Sequence, residues 1–97
     1  MNLYYVYLLA SRHYGTLYCG SISDLARRVW EHKTKAIRGF TAKYGVSSLV
    51  WYEAHETLEA ALLRERQIKN WKRDWKTNLI EQDNPHWVDL FSTLPPP

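Results

Sequence analysis

Residues 3–10, Leu-Tyr-Tyr-Val-Tyr-Leu-Leu-Ala, are a run of strand-favouring side chains. A turn-like stretch from Ser11 to Gly15 separates them from a second such run, Thr16 to Ser21, and the pair predicts a β-hairpin. Setting Ala10 opposite Gly15, across a loop of Ser11, Arg12, His13 and Tyr14, places Tyr7 opposite Tyr18. Directly opposed residues share a face with Cβ atoms roughly 5 Å apart, so this register brings two phenols together. A slip of one residue would separate them.

The period then changes. Ser23-Asp24 reads as a helix start, with Ser23 as N-cap and Asp24 at the positive end of the dipole, and the helix is expected from Leu25 to about Lys33. Leu25 and Val29 form its apolar face, and Arg28 and His32, four residues apart, border that face. Lys35 to Gly39 reads as a loop, Phe40 to Tyr44 as a helical turn ended by Gly45, and Ser48 to Glu53 as a third strand. Thr57 is placed to cap a helix reaching about Lys69, whose apolar stripe at ~100° per residue is Leu58, Ala61, Leu62 and Ile68. Glu65 falls near the middle of that stripe. A buried carboxylate is costly unless it is paired, neutralised or bound to a metal. An ion pair with Arg28 or Lys69 is the structural explanation, and a functional site is the other. Beyond Asn70, the basic stretch with Trp71 and Trp75 predicts another helical segment to about Gln82, Asn84-Pro85 a turn, and Trp87 an anchor for the tail.

Composition bounds these elements to one small unit. The chain has 97 residues, one cysteine and a net charge of +3, with five Trp, seven Tyr and two Phe available to stabilise a small core. One domain over residues 1–90, followed by a flexible Pro-rich tail at 91–97, is the expectation. Cys19 alone forms no internal disulfide, and Cys19, His13, His32, His55 and His86 lack zinc-site spacing. No apolar run reaches membrane-spanning length and no basic-then-apolar leader opens the chain, so a soluble cytoplasmic protein without a membrane partner is expected.

Charge sharpens the picture. Of the 13 basic residues, all except Arg12 fall in two windows: Arg27, Arg28, Lys33, Lys35, Arg38 and Lys43, then Arg64, Arg66, Lys69, Lys72, Arg73 and Lys76. Only Glu31, Glu65 and Asp74 interrupt them. The windows suit a phosphate backbone if they face one way, and are ordinary solvated helix faces if they do not.

The ordered set resembles the GIY-YIG nuclease family. The likeness rests on Tyr5-Val6-Tyr7 and Tyr18-Cys19-Gly20 for the two triplets, Arg28 and His32 within Asp24 to His32, and Glu65 within Ala60 to Glu65. It covers roughly residues 3 to 80 and is closest to a small single-domain bacterial subfamily, through Gly39 to Gly45 and Gln67 to Lys72. The chain departs from the family's name at Tyr5, in place of Gly, and Cys19, in place of Ile. The resemblance implies an α+β fold, a small three-stranded antiparallel sheet flanked by helices, and metal-dependent cleavage of a DNA phosphodiester. It assigns catalytic roles to Tyr7, Tyr18, Arg28 and His32, and makes Glu65 the sole carboxylate ligand of a divalent ion, Mg²⁺ or Mn²⁺. No organic cofactor is implied.

Those residue types suit the reaction. Hydrolysis needs an activated water, neutralised charge on the phosphorus and help for the departing oxygen. Mg²⁺ commonly binds through one or two carboxylates with water and phosphate completing its shell. Tyr7 serves as general base only if positive charge stabilises its phenolate, and otherwise positions the water. Arg28 supplies such charge or clamps phosphate, while Tyr18 and His32 orient the water or relay protons. Lys33, Lys35, Lys43, Lys69 and Lys72 are the candidate DNA contacts, with branched, nicked and single-stranded DNA as candidate substrates. A nicking endonuclease with a role in DNA repair or processing is the leading reading. A nucleic-acid-binding module with weak or no catalysis, stacking unpaired bases on Trp71 or Tyr44, is the alternative. A protein-interaction domain using the Trp-rich C-terminal segment is disfavoured by the basic clustering.

Overall fold

β1 (Tyr4–Ala10) pairs antiparallel with β2 (Leu17–Ile22) on one side and β3 (Ser48–His55) on the other, giving a three-stranded sheet of order β2-β1-β3. The computed structural model describes residues 3–94. β1 is therefore central, and its residues from Val6 to Ala10 are all buried because helices cover both sheet faces. The two-residue period of the strand divides the core. Val6, Leu8 and Ala10 pack with Cys19, Val50 and Trp51 against Ala61 and Ile68 of α3 (Leu58–Lys69) and Ile80 of α4 (Arg73–Asp83). Tyr7 and Leu9 face the other way, onto Leu25 and Val29 of α1 (Leu25–Lys33) and onto Val46 and Leu49. A short α2 (Phe40–Tyr44) leads from α1 toward β3 and ends at Gly45, whose φ of 65° is a left-handed cap. None of these helices is long and apolar enough to cross a membrane among the described residues.

Four details differ from the sequence expectation, each for a physical reason. The hairpin pairs Ala10 with Leu17 and Tyr7 with Gly20, so Tyr18 lies opposite Leu9 rather than Tyr7. The loop is longer than expected: Ser11 N–H donates to Thr16 O at 3.0 Å, Thr16 N–H donates to Ser11 Oγ at 2.9 Å, and Tyr14 takes a φ of 60°. Arg73 of α4 fastens this loop by donating to the carbonyls of Tyr14 and Gly15. The N-cap of α1 is Asp24 and not Ser23, its carboxylate accepting from Arg27 N–H at 3.2 Å. On α3, capped as expected by Thr57, Leu58 and Leu62 are exposed, and the sheet takes Ala61 and Ile68. Arg64 closes that flank by lying over the Trp51 and Trp71 rings and bonding Glu53. Finally, β3 continues to His55 because Tyr4 and Tyr5 remain available to pair with His55 and Ala54.

The packed chain also continues past residue 90. Leu90–Thr93 form a 3-10 turn, and Leu90, Phe91 and Leu94 pack against the α1-side core. Asp89 makes this possible, accepting from the Leu49 N–H at 3.1 Å and the Phe91 N–H at 3.0 Å. Lys33 adds an ion pair to the same carboxylate. The tail boundary drawn at residue 90 therefore falls inside a docked segment, and Pro95–Pro97 lie outside the described residues.

Candidate active site

β2 is an edge strand, and the candidate residues gather along it. Tyr7 and Tyr18 remain on one face despite the altered register, because the slip is two residues and the side-chain period is two. They are diagonal neighbours with ring centroids 6.3 Å apart. Opposite Tyr7 stands Gly20, and the tyrosine ring lies across it. A Cβ built at Gly20 would sit 2.6 Å from Tyr7 Oη and 2.7 Å from its Cζ. The glycine of the second triplet is thus the floor on which the first tyrosine rests, and an interior strand glycine is the sequence signal for such a close approach.

His32 comes from the last turn of α1, with its ring 6.3 Å from Tyr7 and 5.5 Å from Tyr18. It is only 4% exposed. Its Nδ1 is 2.9 Å from the hydroxyl of Thr41, carried in by α2, while Nε2 has no hydrogen-bond partner among the described residues. An unpartnered buried nitrogen is costly in a folded protein, and such a group calls for a functional explanation. Burial, followed by the charge of Arg28, lowers the pKa of His32, with Glu31 opposing, so the ring is held neutral. Arg28 itself is half-buried at the site margin, its Nε 3.4 Å from Glu31 Oε1.

Tyr7 is buried to 2% exposure. Desolvation, then the neighbouring Tyr18, push its pKa far above the ordinary tyrosine range, and the opposing pull of Arg28 does not compensate. Tyr7 is therefore a neutral phenol and a hydrogen-bond donor.

Glu65 reaches the same strand from the other side of the sheet. Its side chain is 17% exposed, Oε1 accepts from Ser21 Oγ at 2.5 Å, and Oε2 lies 2.5 Å from Lys69 Nζ. Of the two ion-pair partners considered for this carboxylate, the structure selects Lys69, and Arg28 pairs with Glu31 instead. The hydrogen bond to Glu65 raises the pKa of Lys69, and the Glu65 charge also acts on Tyr7 and Cys19. Desolvation first, then Glu65, push the Cys19 thiol up to about 11. The site thus wraps the β2 edge, phenols and imidazole from the α1 side, carboxylate from the α3 side. No group of three or more His, Cys, Asp or Glu converges among the described residues. The donors present, one carboxylate beside one hydroxyl, are hard oxygens, a set that fits Mg²⁺ or Mn²⁺ holding most of its own water.

The five lysines expected at DNA do not form one group. Lys33 is committed to Asp89 and to the Ser47 carbonyl at 3.1 Å, with its ammonium over the Phe91 ring. Its role as a free phosphate contact is replaced by that of a latch for the tail. Lys69 is held by Glu65. Lys35 and Lys72 are exposed at the ends of α1 and α4, and Lys43 lies against Tyr44 on the exposed side of α2. A groove of about 280 Å³ runs beside the site, lined by Leu17, Tyr18, Cys19, Phe40, Lys69 and Lys76. Gly20, Ser21, Thr41 and Lys76 are the residues that sequence reasoning did not assign. Strand alternation points Ser21 to the α3 side, whereas nothing local marks Thr41 as the partner of His32.

Known proteins are similar to this chain in sequence and in fold. The chain is 37% identical over 83 residues to a UPF0213 protein of Haloquadratum walsbyi, covering 84% of this chain and 92% of that one. It is 36% identical over 86 residues to a UPF0213 protein of Staphylococcus aureus, covering 84% of this chain and 99% of the relative. The solution NMR structure of a UPF0213 protein from Bacillus halodurans superimposes with a TM-score of 0.56 at 26% identity, covering 90% of this chain and 92% of that one. The model of the GIY-YIG catalytic domain matches residues 3–78. Two tyrosines, an arginine and a histidine around an edge strand, with a helical glutamate behind it, are thus carried by a chain that belongs to the GIY-YIG nuclease family.

Proposed function

We propose that the chain is a metal-dependent DNA endonuclease that hydrolyses one phosphodiester at a time, leaving nicks. The observation that carries this reading is the unpartnered, buried Nε2 of a neutral His32 whose ring lies 6.3 Å from Tyr7 and 5.5 Å from Tyr18, beside the edge strand whose other face holds Glu65. In the tautomer whose Nδ1–H donates to the Thr41 hydroxyl, Nε2 presents a lone pair and is the proton acceptor for the attacking water, directly or through the Tyr18 hydroxyl. Tyr7 remains protonated and donates a hydrogen bond that orients water or phosphate, so it is not the general base. Arg28 pairs with a phosphate oxygen, for which its guanidinium fork is shaped. Glu65, with Ser21 beside it, would hold Mg²⁺ or Mn²⁺, which supplies charge neutralisation at the phosphate when bound. The water oxygen attacks phosphorus, its proton passes to His32, and the P–O bond to the sugar oxygen breaks as that oxygen takes a proton from solvent, after which His32 returns its proton to water. A single site on one small domain meets one strand at a time, which favours nicking.

One observation favours the alternative of a binding module with weak or no catalysis: both Glu65 oxygens have partners within the chain. Cleavage of supercoiled plasmid and of nicked, branched and single-stranded oligonucleotides decides between them. The expected result is open-circle product with Mg²⁺ or Mn²⁺, lost on chelation and in Glu65→Gln. Salt-sensitive binding without cleavage selects the module, and linear product without accumulated open circles contradicts nicking. Lys35, Lys43 and Lys72 are the DNA contacts of this reading, Lys69 joins them only when it leaves Glu65, and Lys33 is withdrawn by Asp89. Cellular roles in DNA repair or processing follow from a nick as product.

A further inference from the structure

Glu65 has two oxygens and two unlike partners. Ser21 is fixed in the sheet by pairing with Val6, and its hydroxyl holds Oε1 from there. Lys69 is the last residue of α3, and its side chain is 51% exposed, so the stem that brings its ammonium to Oε2 is free to turn. The same lysine lines the groove beside Tyr18 and Lys76. A largely buried carboxylate needs a cation, and in the absence of any other Lys69 provides it. An ammonium and a divalent ion repel one another, so they do not share that carboxylate at hydrogen-bond distance.

We propose that Lys69 is a displaceable counter-ion: it neutralises Glu65 until a divalent cation takes the carboxylate, and its ammonium then turns into the groove to hold a phosphate of the substrate. This rests on the reading of Glu65 as the carboxylate that takes the metal. Ser21 stays in place in both states, because a hydroxyl beside a carboxylate is compatible with either cation. Metal binding and DNA binding then reinforce one another, and linkage requires the effect to be reciprocal. Lys76, which lines the same groove, is the second phosphate contact of that released state.

The test needs no catalysis. Mn²⁺ binding to the intact protein, followed by electron paramagnetic resonance of the free ion, is compared among wild type, Lys69→Met, Lys69→Arg and Glu65→Gln without DNA. Lys69→Met is expected to bind Mn²⁺ about fivefold more tightly, the upper end for a partly exposed ion pair. Lys69→Arg keeps the cation and is expected to match wild type. In Ca²⁺, the dependence of DNA binding on salt is expected to fall by about one phosphate contact in Lys69→Met, and to be unchanged by that substitution in chelator. Equal or weaker Mn²⁺ binding in Lys69→Met, while Glu65→Gln abolishes it, overturns the counter-ion and leaves the metal site standing. Mn²⁺ binding that is absent, or indifferent to Glu65→Gln, removes the metal site itself and the counter-ion with it.

Discussion

Replacing Gly20 with alanine tests the site's construction at its tightest point. Glycine to alanine at a position with ordinary backbone angles normally stabilises a protein by about 0.4–1 kcal/mol, because the unfolded chain loses freedom. Gly20 is not among the residues with positive φ, so that gain is available here. Against it stands the Tyr7 ring: the new Cβ would lie 2.6 Å from Oη, 2.7 Å from Cζ and 3.1 Å from Cε1. Carbon atoms pack at about 3.5–4.0 Å, so the ring must retreat by roughly 1 Å. It has nowhere easy to go, since Tyr7 is 2% exposed and packed with Leu9, Leu25 and Val29. Overpacking of this kind costs about 1–3 kcal/mol, and subtracting the chain-entropy gain leaves a net loss of up to about 2.6 kcal/mol, centred on about 1 kcal/mol. Urea denaturation measures it, as a lower midpoint with unchanged slope. A shift of about 1 Å in a catalytic group also lowers turnover by about 10²-fold, with little change in DNA affinity. The partner controls are specific. Tyr7→Phe removes only the Oη contact and leaves Cζ in place, so it does not restore Gly20→Ala. In the Tyr7→Leu background the same alanine is expected to become neutral or stabilising. A Gly20→Ala protein as stable as wild type, with full cleavage activity, would refute the argument.

The remaining expectations concern groups that the site and the tail hold in place. Because burial and Arg28 lower the His32 pKa below its unfolded value near 6.5, the folded state binds this proton less readily. The stability it contributes is present above pH about 6.5 and declines as pH falls through the folded value, a decline that His32→Gln is expected to reduce in urea midpoints measured from pH 8 to 5. Cleavage is expected to fall along the same acid limb. Thr41→Val leaves His32 Nδ1 without its partner in a buried setting, which is expected to cost about 1–3 kcal/mol by urea denaturation and to reduce turnover more than DNA affinity. Lys33→Met breaks the Asp89 latch and is expected to cost about 1–2 kcal/mol, while the salt dependence of DNA binding stays at its wild-type slope. A reduced slope in that variant would return Lys33 to the DNA surface.

Much of the candidate site was legible because its signals are periodic. Alternation placed Tyr7 and Tyr18 on one face, and the error in their register was harmless only because it was two residues. What alternation does not report is loop closure: the Ser11–Thr16 pairs and the positive φ of Tyr14 set the true register, and neither follows from strand propensity. Helical spacing singled out Glu65 as a carboxylate on the core side of α3, where its side chain is largely buried, yet misplaced the stripe around it. Leucine counts pulled the expected face toward Leu58 and Leu62, whereas the sheet accepts the small Ala61 and lets an arginine cover the flank. The Thr41–His32 bond joins α2 to α1, and no local pattern in either segment encodes it.

Charge was the least transferable signal, and the reason bears on how such a domain holds DNA. A count of basic residues treats the two windows as alike, but the fold consumes many of them. Arg64 and Arg73 brace α3 and the hairpin loop, Lys33 latches the tail, and Arg27 and Arg28 share Glu31. Arg12, Lys35, Arg38, Lys43, Arg66, Lys72 and Lys76 make no side-chain hydrogen bond or ion pair among the described residues. Each neutralised phosphate contributes about −0.9 to the slope of log affinity against log salt on duplex DNA, so all seven together give at most about −6.3. A hold that rests on this term alone loses much of its strength as salt rises to the physiological range. The burden of retaining substrate then shifts to the site, where Arg28, a metal at Glu65 and a released Lys69 would act on the phosphate being cut.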